Sequence, residues 1–156
     1  MSEQKRYIIV AGINGAGKST LYRTRPELFA HSKRLNADEI LQAMGGNWRK
    51  DRDNFKAMRE EIKQLHAALD YGQSIHVETT LAGQGKAQLN LIDRAHKSGF
   101  EVTLLYVALK SEKRQLIVFM SGSKKVGMVY QMKSLKNVIV NQIIICQPLP
   151  SKLITS

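Results

Sequence analysis

Tyr7-Ile8-Ile9-Val10-Ala11-Gly12-Ile13-Asn14-Gly15-Ala16-Gly17-Lys18-Ser19-Thr20 decides the fold of this 156-residue chain. Its first five residues are apolar and rich in β-branched side chains, as a strand buried on both faces of a parallel sheet requires. The next eight, Gly12 to Ser19, satisfy G-x-x-x-x-G-K-[ST], the phosphate-binding loop, in the strand-to-helix setting that gives this motif its meaning. Glycines let successive backbone N–H groups converge on phosphate oxygens, and the following helix adds the positive end of its dipole. In such a loop Lys18 reaches the β- and γ-phosphates and the Ser19 hydroxyl ligates Mg²⁺. Gly12, Asn14, Gly15, Ala16, Gly17, Lys18, Ser19 and Thr20 are therefore the expected nucleotide-binding residues, and ATP or GTP with Mg²⁺ the expected ligands.

Outward from the loop, the chain alternates strand and helix. A helix is expected from Ser19, ending near Arg25 because Pro26 disfavours helical geometry in the residue before it. A short strand at Arg34 to Asn36 precedes a helix opening at Asp38 and closing at Gly45-Gly46. Phe55, Met58, Ile62, Leu65, Ala68 and Leu69 recur at helical spacing between Asp53 and Tyr71, predicting the longest helix with that stripe on the core, stopped by Gly72. Ser74 to Glu78 reads as a strand, Ala87 to Lys97 as a helix, Phe100 to Leu109 as a strand and Gln115 to Met120 as an apolar strand. This alternation predicts an α/β fold of the P-loop NTPase/kinase type: a parallel sheet with helices on both faces and right-handed crossovers.

Two short segments lie on the carboxyl edge of that sheet, where ligands of open α/β folds bind. Asn36-Ala37-Asp38-Glu39 places a carboxylate, Asp38, where it can accept the proton of an attacking hydroxyl; an N-cap role for Asp38 is equally open. Glu78-Thr79-Thr80-Leu81 offers one carboxylate and two hydroxyls to a polar substrate or to Mg²⁺-bound water, or else a strand end with a capping threonine.

The phosphate loop, N-A-D-E-I at Asn36 to Ile40 and E-T-T-L-A-G at Glu78 to Gly83 together resemble the zeta-toxin family of P-loop kinases in its short stand-alone form, over residues 1 to about 111. The resemblance implies ATP-dependent phosphorylation of a sugar hydroxyl, with UDP-N-acetylglucosamine the best-known acceptor, and neutralisation by an antitoxin protein. Carried over, Lys18 and Ser19 hold nucleotide and metal, Asp38 is the general base, and Glu78, Thr79 and Thr80 lie at the acceptor.

Beyond residue 110 the chain departs from the family, which continues with lid arginines and a G-G-H-x-I-P segment. Only Arg114 among the residues that follow could serve as a transition-state cation, a contribution worth about three to five powers of ten in rate. The degenerate codons of Lys125 to Lys133, read one base out of frame, permit G-G-H-G-I-P-D-E, with the second G of G-H-G and the final E forced. The same shift permits I-D-R-V-Y-E-R-V-K-K upstream and V-I-K-K-R-Y downstream. These strings imply a frameshift near Ser111 to Arg114, dividing the chain into a kinase core, 1–110, and a tail, 111–156, that is foreign to the fold and poorly ordered. A product of this kind is expected to be an impaired kinase or a non-catalytic nucleotide-binding remnant.

Charge supports the same division. Of the net +11, residues 1–110 hold 17 Lys or Arg against 12 Asp or Glu, and residues 111–156 hold 7 against 1. Because the tail supplies most of the excess without an aromatic platform, nucleic acid is not the expected partner; a polynucleotide kinase or nucleic-acid binder is the alternative that the charge invites. The histidines lack metal-ligand spacing. Apolar runs fall far short of the roughly 20 residues of a membrane span. The lone Cys146 fits a reducing compartment, so a cytoplasmic location is expected.

Overall fold

A computed structural model of the chain describes residues 3–79, 86–111 and 114–122. The elements are β1 (Arg6–Ala11), α1 (Lys18–Thr24), a 3₁₀ turn (Pro26–Phe29), β2 (Lys33–Leu35), α2 (Ala37–Ala43), α3 (Asp51–Tyr71), β3 (Ile75–Thr79), α4 (Lys86–Lys97), β4 (Glu101–Ser111) and β5 (Arg114–Gly122). The strands form one five-stranded sheet in the order β2-β3-β1-β4-β5. The first four run parallel, with Tyr7 opposite Ile75 and Val102, and Val10 opposite Glu78 and Leu105. β5 returns antiparallel along β4, pairing Leu105 with Phe119. Thr80 to Leu81, and residues 123–156 of the expected foreign tail, lie outside the described residues.

The period of two along each strand sorts the core into two layers. Tyr7, Ile9 and Ala11 of β1, with Leu35, Ile75, Val77, Val102 and Leu104, face Leu65, Ala68 and Leu69 of α3 and Ile92 and Ala95 of α4. Ile8 and Val10, with Leu105 and Val107, face Ala16, Leu21 of α1 and Phe29. Helices thus cover both faces, and β1 is buried from Tyr7 to Ala11 because it lies between them.

The stripe expected on α3 holds for only half its length. Leu65, Ala68 and Leu69 are buried with Ala57, whereas Phe55, Met58 and Ile62 stay exposed. Length explains the difference: a 21-residue helix is about 31 Å long, while the five residues of β3 span about 17 Å. The amino-terminal half of α3 overhangs the sheet and packs on α2 instead.

The opening of α2 also differs from expectation. The cap is Asn36, whose Oδ1 accepts from the backbone N–H of Asp38 at 2.8 Å and of Glu39 at 3.3 Å. Asp38 sits inside the first turn, where its charge favours the helix dipole. An extended Asn with an acceptor aimed at the next turn caps as well as Asp does, so residue preference alone did not choose between them.

Candidate functional site

The carboxyl ends of β1, β2 and β3 bring the loop and both acidic segments to one edge. Gly12 leaves β1 with φ +151, and its N–H donates to the carbonyl of Thr79 at 3.2 Å, tying the loop to the end of β3. A Cβ at Gly12 would stand 2.4 Å from the Val107 carbonyl oxygen of β4, so no larger residue fits there. Gly17, left-handed at φ 95, turns the chain into α1. Ala16 is buried, whereas Asn14, Gly15 and Ser19 face solvent and Thr20 is half-buried.

Lys18 is buried, with its Nζ donating to the Gly12 carbonyl at 2.6 Å and to that of Ile13 at 3.3 Å. Its nearest carboxylate is Glu78, whose Oε1 lies 3.9 Å away. The other oxygen of Glu78, Oε2, accepts from Asn36 Nδ2 at 3.3 Å and lies 3.6 Å from Arg34. Arg34 also reaches Glu39 at 3.1 Å, and its guanidinium stacks 4.3 Å from the centre of the Tyr22 ring. Asn36 therefore joins the two acidic segments: one end of its amide binds the backbone of Asp38, the other the carboxylate of Glu78. Thr79 ends β3 beside them, and Thr80 lies outside the described residues.

One participant was not found from sequence. Glu61, on the overhanging half of α3, has its carboxyl pushed up to about 7, first by burial and then by the charges of Asp38 and Glu78, against the lowering effect of the Ala37 backbone N–H. Its Oε1 is buried without a hydrogen-bond partner. It stands between Glu60 and Ile62 in sequence, and nothing in the spacing marks it; only the packing of α3 on α2 does. A second feature is an open pocket of about 540 Å³ beside Asp38, lined also by Leu41, Gln42, Gly46 and Trp48.

His76, expected to be a packed residue in a strand, is buried on the α1 face of the sheet. Its Nδ1 shares a hydrogen bond of 2.7 Å with Ser32 Oγ, and its ring meets Tyr22 and Phe29. Burial, with Arg34 and Arg6 nearby, holds its pKa down to about 4, so it is neutral at pH 7. Among the described residues no group of three or more His, Cys, Asp or Glu side chains could hold a metal ion. A solvent-facing Ser19 hydroxyl and a loop whose glycines, Gly12, Gly15 and Gly17, all take positive φ fit a metal together with phosphate oxygens. Among the described residues no helix is long and apolar enough to cross a membrane.

The sequence model of the zeta-toxin family, described as zeta toxin, matches residues 1–118. The chain belongs to the zeta-toxin family. Its fold is similar to that of a chain from the PezAT chromosomal toxin-antitoxin system of the human pathogen Streptococcus pneumoniae, with 20% identity and a TM-score of 0.57 over 91% of this chain and 60% of that one. A protein assigned as a kinase from Chloroflexus aurantiacus j-10-fl gives 17% identity and a TM-score of 0.53 over 92% and 72%. A chain of the Pnkp1/Rnl/Hen1 RNA repair complex gives 14% and 0.57 over 100% and 51%. The present chain thus spans 60% and 51% of the length of the PezAT and RNA repair chains. Among curated protein sequences none matches. Family and fold together place this zeta-toxin chain in the P-loop kinase-type phosphotransferase class, which in general uses a nucleotide and Mg²⁺.

Proposed function

We propose that the chain transfers the γ-phosphate of ATP to a hydroxyl of a nucleotide sugar such as UDP-N-acetylglucosamine. The backbone from Gly12 to Thr20, with Asn14, Gly15, Ala16 and Gly17 at its centre, holds the triphosphate, and Lys18 balances the charge on its β- and γ-groups. Mg²⁺, when bound, is held through Ser19 and draws charge from the phosphate oxygens. Asp38 takes the proton of the acceptor hydroxyl as that oxygen bonds to the γ-phosphorus, and the bond from phosphorus to the β–γ bridging oxygen breaks to leave ADP. Glu78, Thr79 and Thr80 orient the acceptor, while Glu61, half protonated near neutral pH, lies beside the base.

The observation that carries this reading is the Asn36 bridge. Asn36 fixes the Asp38 backbone at 2.8 Å and holds Glu78 at 3.3 Å, and Glu78 in turn faces Lys18, so base and phosphate lysine share one network. The test is ADP release from ATP and Mg²⁺ with nucleotide sugars, with the phosphorylated sugar identified by mass. Turnover that Asp38→Asn abolishes without weakening ATP binding supports the assignment. ATP binding with no ADP release by the unaltered chain would make it the non-catalytic remnant.

Turnover by this chain is proposed to be slow. A loose phosphoryl-transfer transition state depends on cations that the family supplies from its lid, and residues 111–156 hold one arginine, Arg114. The coding DNA across Ser111 decides whether a frameshift removed the rest: codons that forbid the shifted G-G-H-G-I-P string end that explanation. An antitoxin protein is the partner proposed, since the structurally similar PezAT chain comes from a toxin-antitoxin system, and the cytoplasm is the compartment where ATP and nucleotide sugars meet the enzyme. Nucleic acid has no place in this scheme.

A further inference from the structure

Asn14 and Gly15 form the tip of the phosphate loop. The Ala16 N–H donates to the Ile13 carbonyl at 3.1 Å, which closes a turn with these two residues at its centre and Gly15 at φ 80. The same Ile13 carbonyl accepts from Lys18 Nζ at 3.3 Å, so the turn is pinned at its base and bare at its tip. Asn14 and Gly15 are both exposed, and among the described residues neither the Asn14 side chain nor the Gly15 N–H has a hydrogen-bond partner. A Cβ built on Gly15 would meet no atom within 4 Å.

These are the properties of a reactive amide. The side-chain carbonyl carbon of an asparagine lies within ring-closing reach of the backbone nitrogen of the next residue, and that nitrogen, once deprotonated, attacks it. Three things obstruct the attack: a side chain on the next residue, hydrogen bonds that hold the amide or the N–H, and packing around both. Glycine removes the first obstacle, and the open, unpartnered tip removes the other two. Of the seven asparagines in the chain only Asn14 precedes glycine, and no aspartate does. Others are tied down by their side chains: Asn36 to the Asp38 N–H and Glu78, Asn47 to the Arg49 N–H, and Asn54 to the Trp48 carbonyl.

We propose that Asn14 is a self-modifying site that limits how long the phosphate loop stays competent. The Gly15 nitrogen bonds to Asn14 Cγ, the Cγ–Nδ2 bond breaks, and ammonia leaves with the proton that Gly15 gave up. Water then opens the cyclic imide, at Cγ to give aspartate or at the main-chain carbonyl to give isoaspartate. The balance is an amide and a water converted to a carboxylate and ammonium, with no oxidant and no second enzyme. Either product disables the loop. Aspartate sets a negative charge where phosphate has to enter, and isoaspartate routes the main chain through Cβ, lengthening a cradle whose N–H groups must converge. Bound nucleotide opposes the reaction, because a phosphate oxygen accepts from the Gly15 N–H and keeps that nitrogen protonated. The empty chain therefore ages and the loaded chain keeps. Protection rests on the triphosphate reading of the loop; the conversion does not.

The experiment incubates the full chain in mildly alkaline buffer, which raises the deprotonated fraction of the attacking nitrogen, with and without ATP and Mg²⁺. Peptide mass mapping follows Asn14, ammonia release is measured, and isoaspartate is labelled with a protein-isoaspartate methyltransferase. Without nucleotide, the peptide holding Asn14 should convert ahead of every peptide that carries another asparagine, and ATP affinity by calorimetry should fall in step. Saturating ATP should slow the conversion at least about tenfold. Asn14→Asp should bind ATP about tenfold more weakly than the fresh chain. Asn14→Gln, whose amide closes a larger ring more slowly, should hold its own starting affinity through the incubation. An Asn14 peptide that stays intact while other asparagines convert overturns the inference, as does conversion that leaves ATP affinity unchanged or that runs equally fast with ATP present. A fresh chain that binds no ATP overturns the triphosphate reading and the protection with it, while mass and ammonia still decide the conversion.

Discussion

The two sides of the sheet edge are built by different means. On the β1–α1 side, the loop owes its shape to backbone: Gly12 presses against the Val107 carbonyl, Gly17 turns left-handed, and Lys18 is bound by carbonyls of its own loop. On the α2–α3 side, side chains far apart in sequence make the arrangement, with Asn36 joining Asp38 to Glu78 and Glu61 half-buried beside them. A backbone-built site leaves a contiguous signature, because each turn requires a particular residue at a fixed offset. A side-chain-built site leaves only scattered polar residues. The donor half of the proposed reaction is consequently fixed by local geometry, and the acceptor half by the packing of one helix on another.

Substitutions can break this contrast from either side. Lys18→Ala should lower ADP release by about a hundredfold to a thousandfold, as loss of one charge-stabilising donor does, with nucleotide affinity by calorimetry falling alongside. Gly12→Ala forces a Cβ to within 2.4 Å of a backbone oxygen that cannot move without disturbing β4. It should cost about 3 kcal/mol of stability in denaturant melts, a global effect from a donor-side residue.

On the acceptor side the effects should be smaller and depend on pH. Because the folded pKa of Glu61 is raised from 4.5 to about 7, the folded chain binds more protons than the unfolded chain between these values. The stability it contributes is complete below pH 4.5 and lost as pH rises through 7. Glu61→Gln should therefore stabilise the chain at pH 8, by about 1 to 2 kcal/mol once solvent screening is discounted, and leave it unaltered at pH 4. Chemical denaturation at the two pH values measures this; equal stability changes at both would show that Glu61 is not held neutral by its surroundings.

The finest distinction comes from Asn36. Asn36→Ala removes the α2 cap and should cost about 1 kcal/mol. Asn36→Asp keeps a cap but sets a like charge against Glu78. It should leave the melting temperature within a few degrees and ATP affinity unchanged, while lowering kcat/KM for the acceptor. If the Asp variant instead loses ATP affinity and acceptor use together, the two halves of the edge are one unit and the contrast fails.

The same contrast explains what could be read from sequence. The continuous apolar run of β1, the glycine-lysine spacing and the alternation of strands with helices each encode structure over neighbouring residues, and the parallel sheet followed from them. The stripe on α3 misled because helical spacing reports a face and says nothing of whether a sheet lies beneath it; Phe55 and Met58 stay exposed on a helix longer than the strands it covers. Asn36 caps α2 in place of Asp38 because both residue types suit that position. Glu61 and Trp48 carried no local signal, since their environment is made by the α2–α3 contact, formed by residues that no motif connects.

Lys18 bound to the carbonyls of Gly12 and Ile13 has a consequence for selectivity. An arriving anion does not meet a bare ammonium; it has to replace acceptors already in place, so only the difference between old and new partners appears as affinity. A small ion of single charge, chloride for instance, offers little over two amide oxygens. A polyphosphate chain offers several oxygens and more charge at once, and can also engage the N–H groups around the loop. The resting lysine thereby acts as a threshold that simple salts fall beneath and a triphosphate crosses.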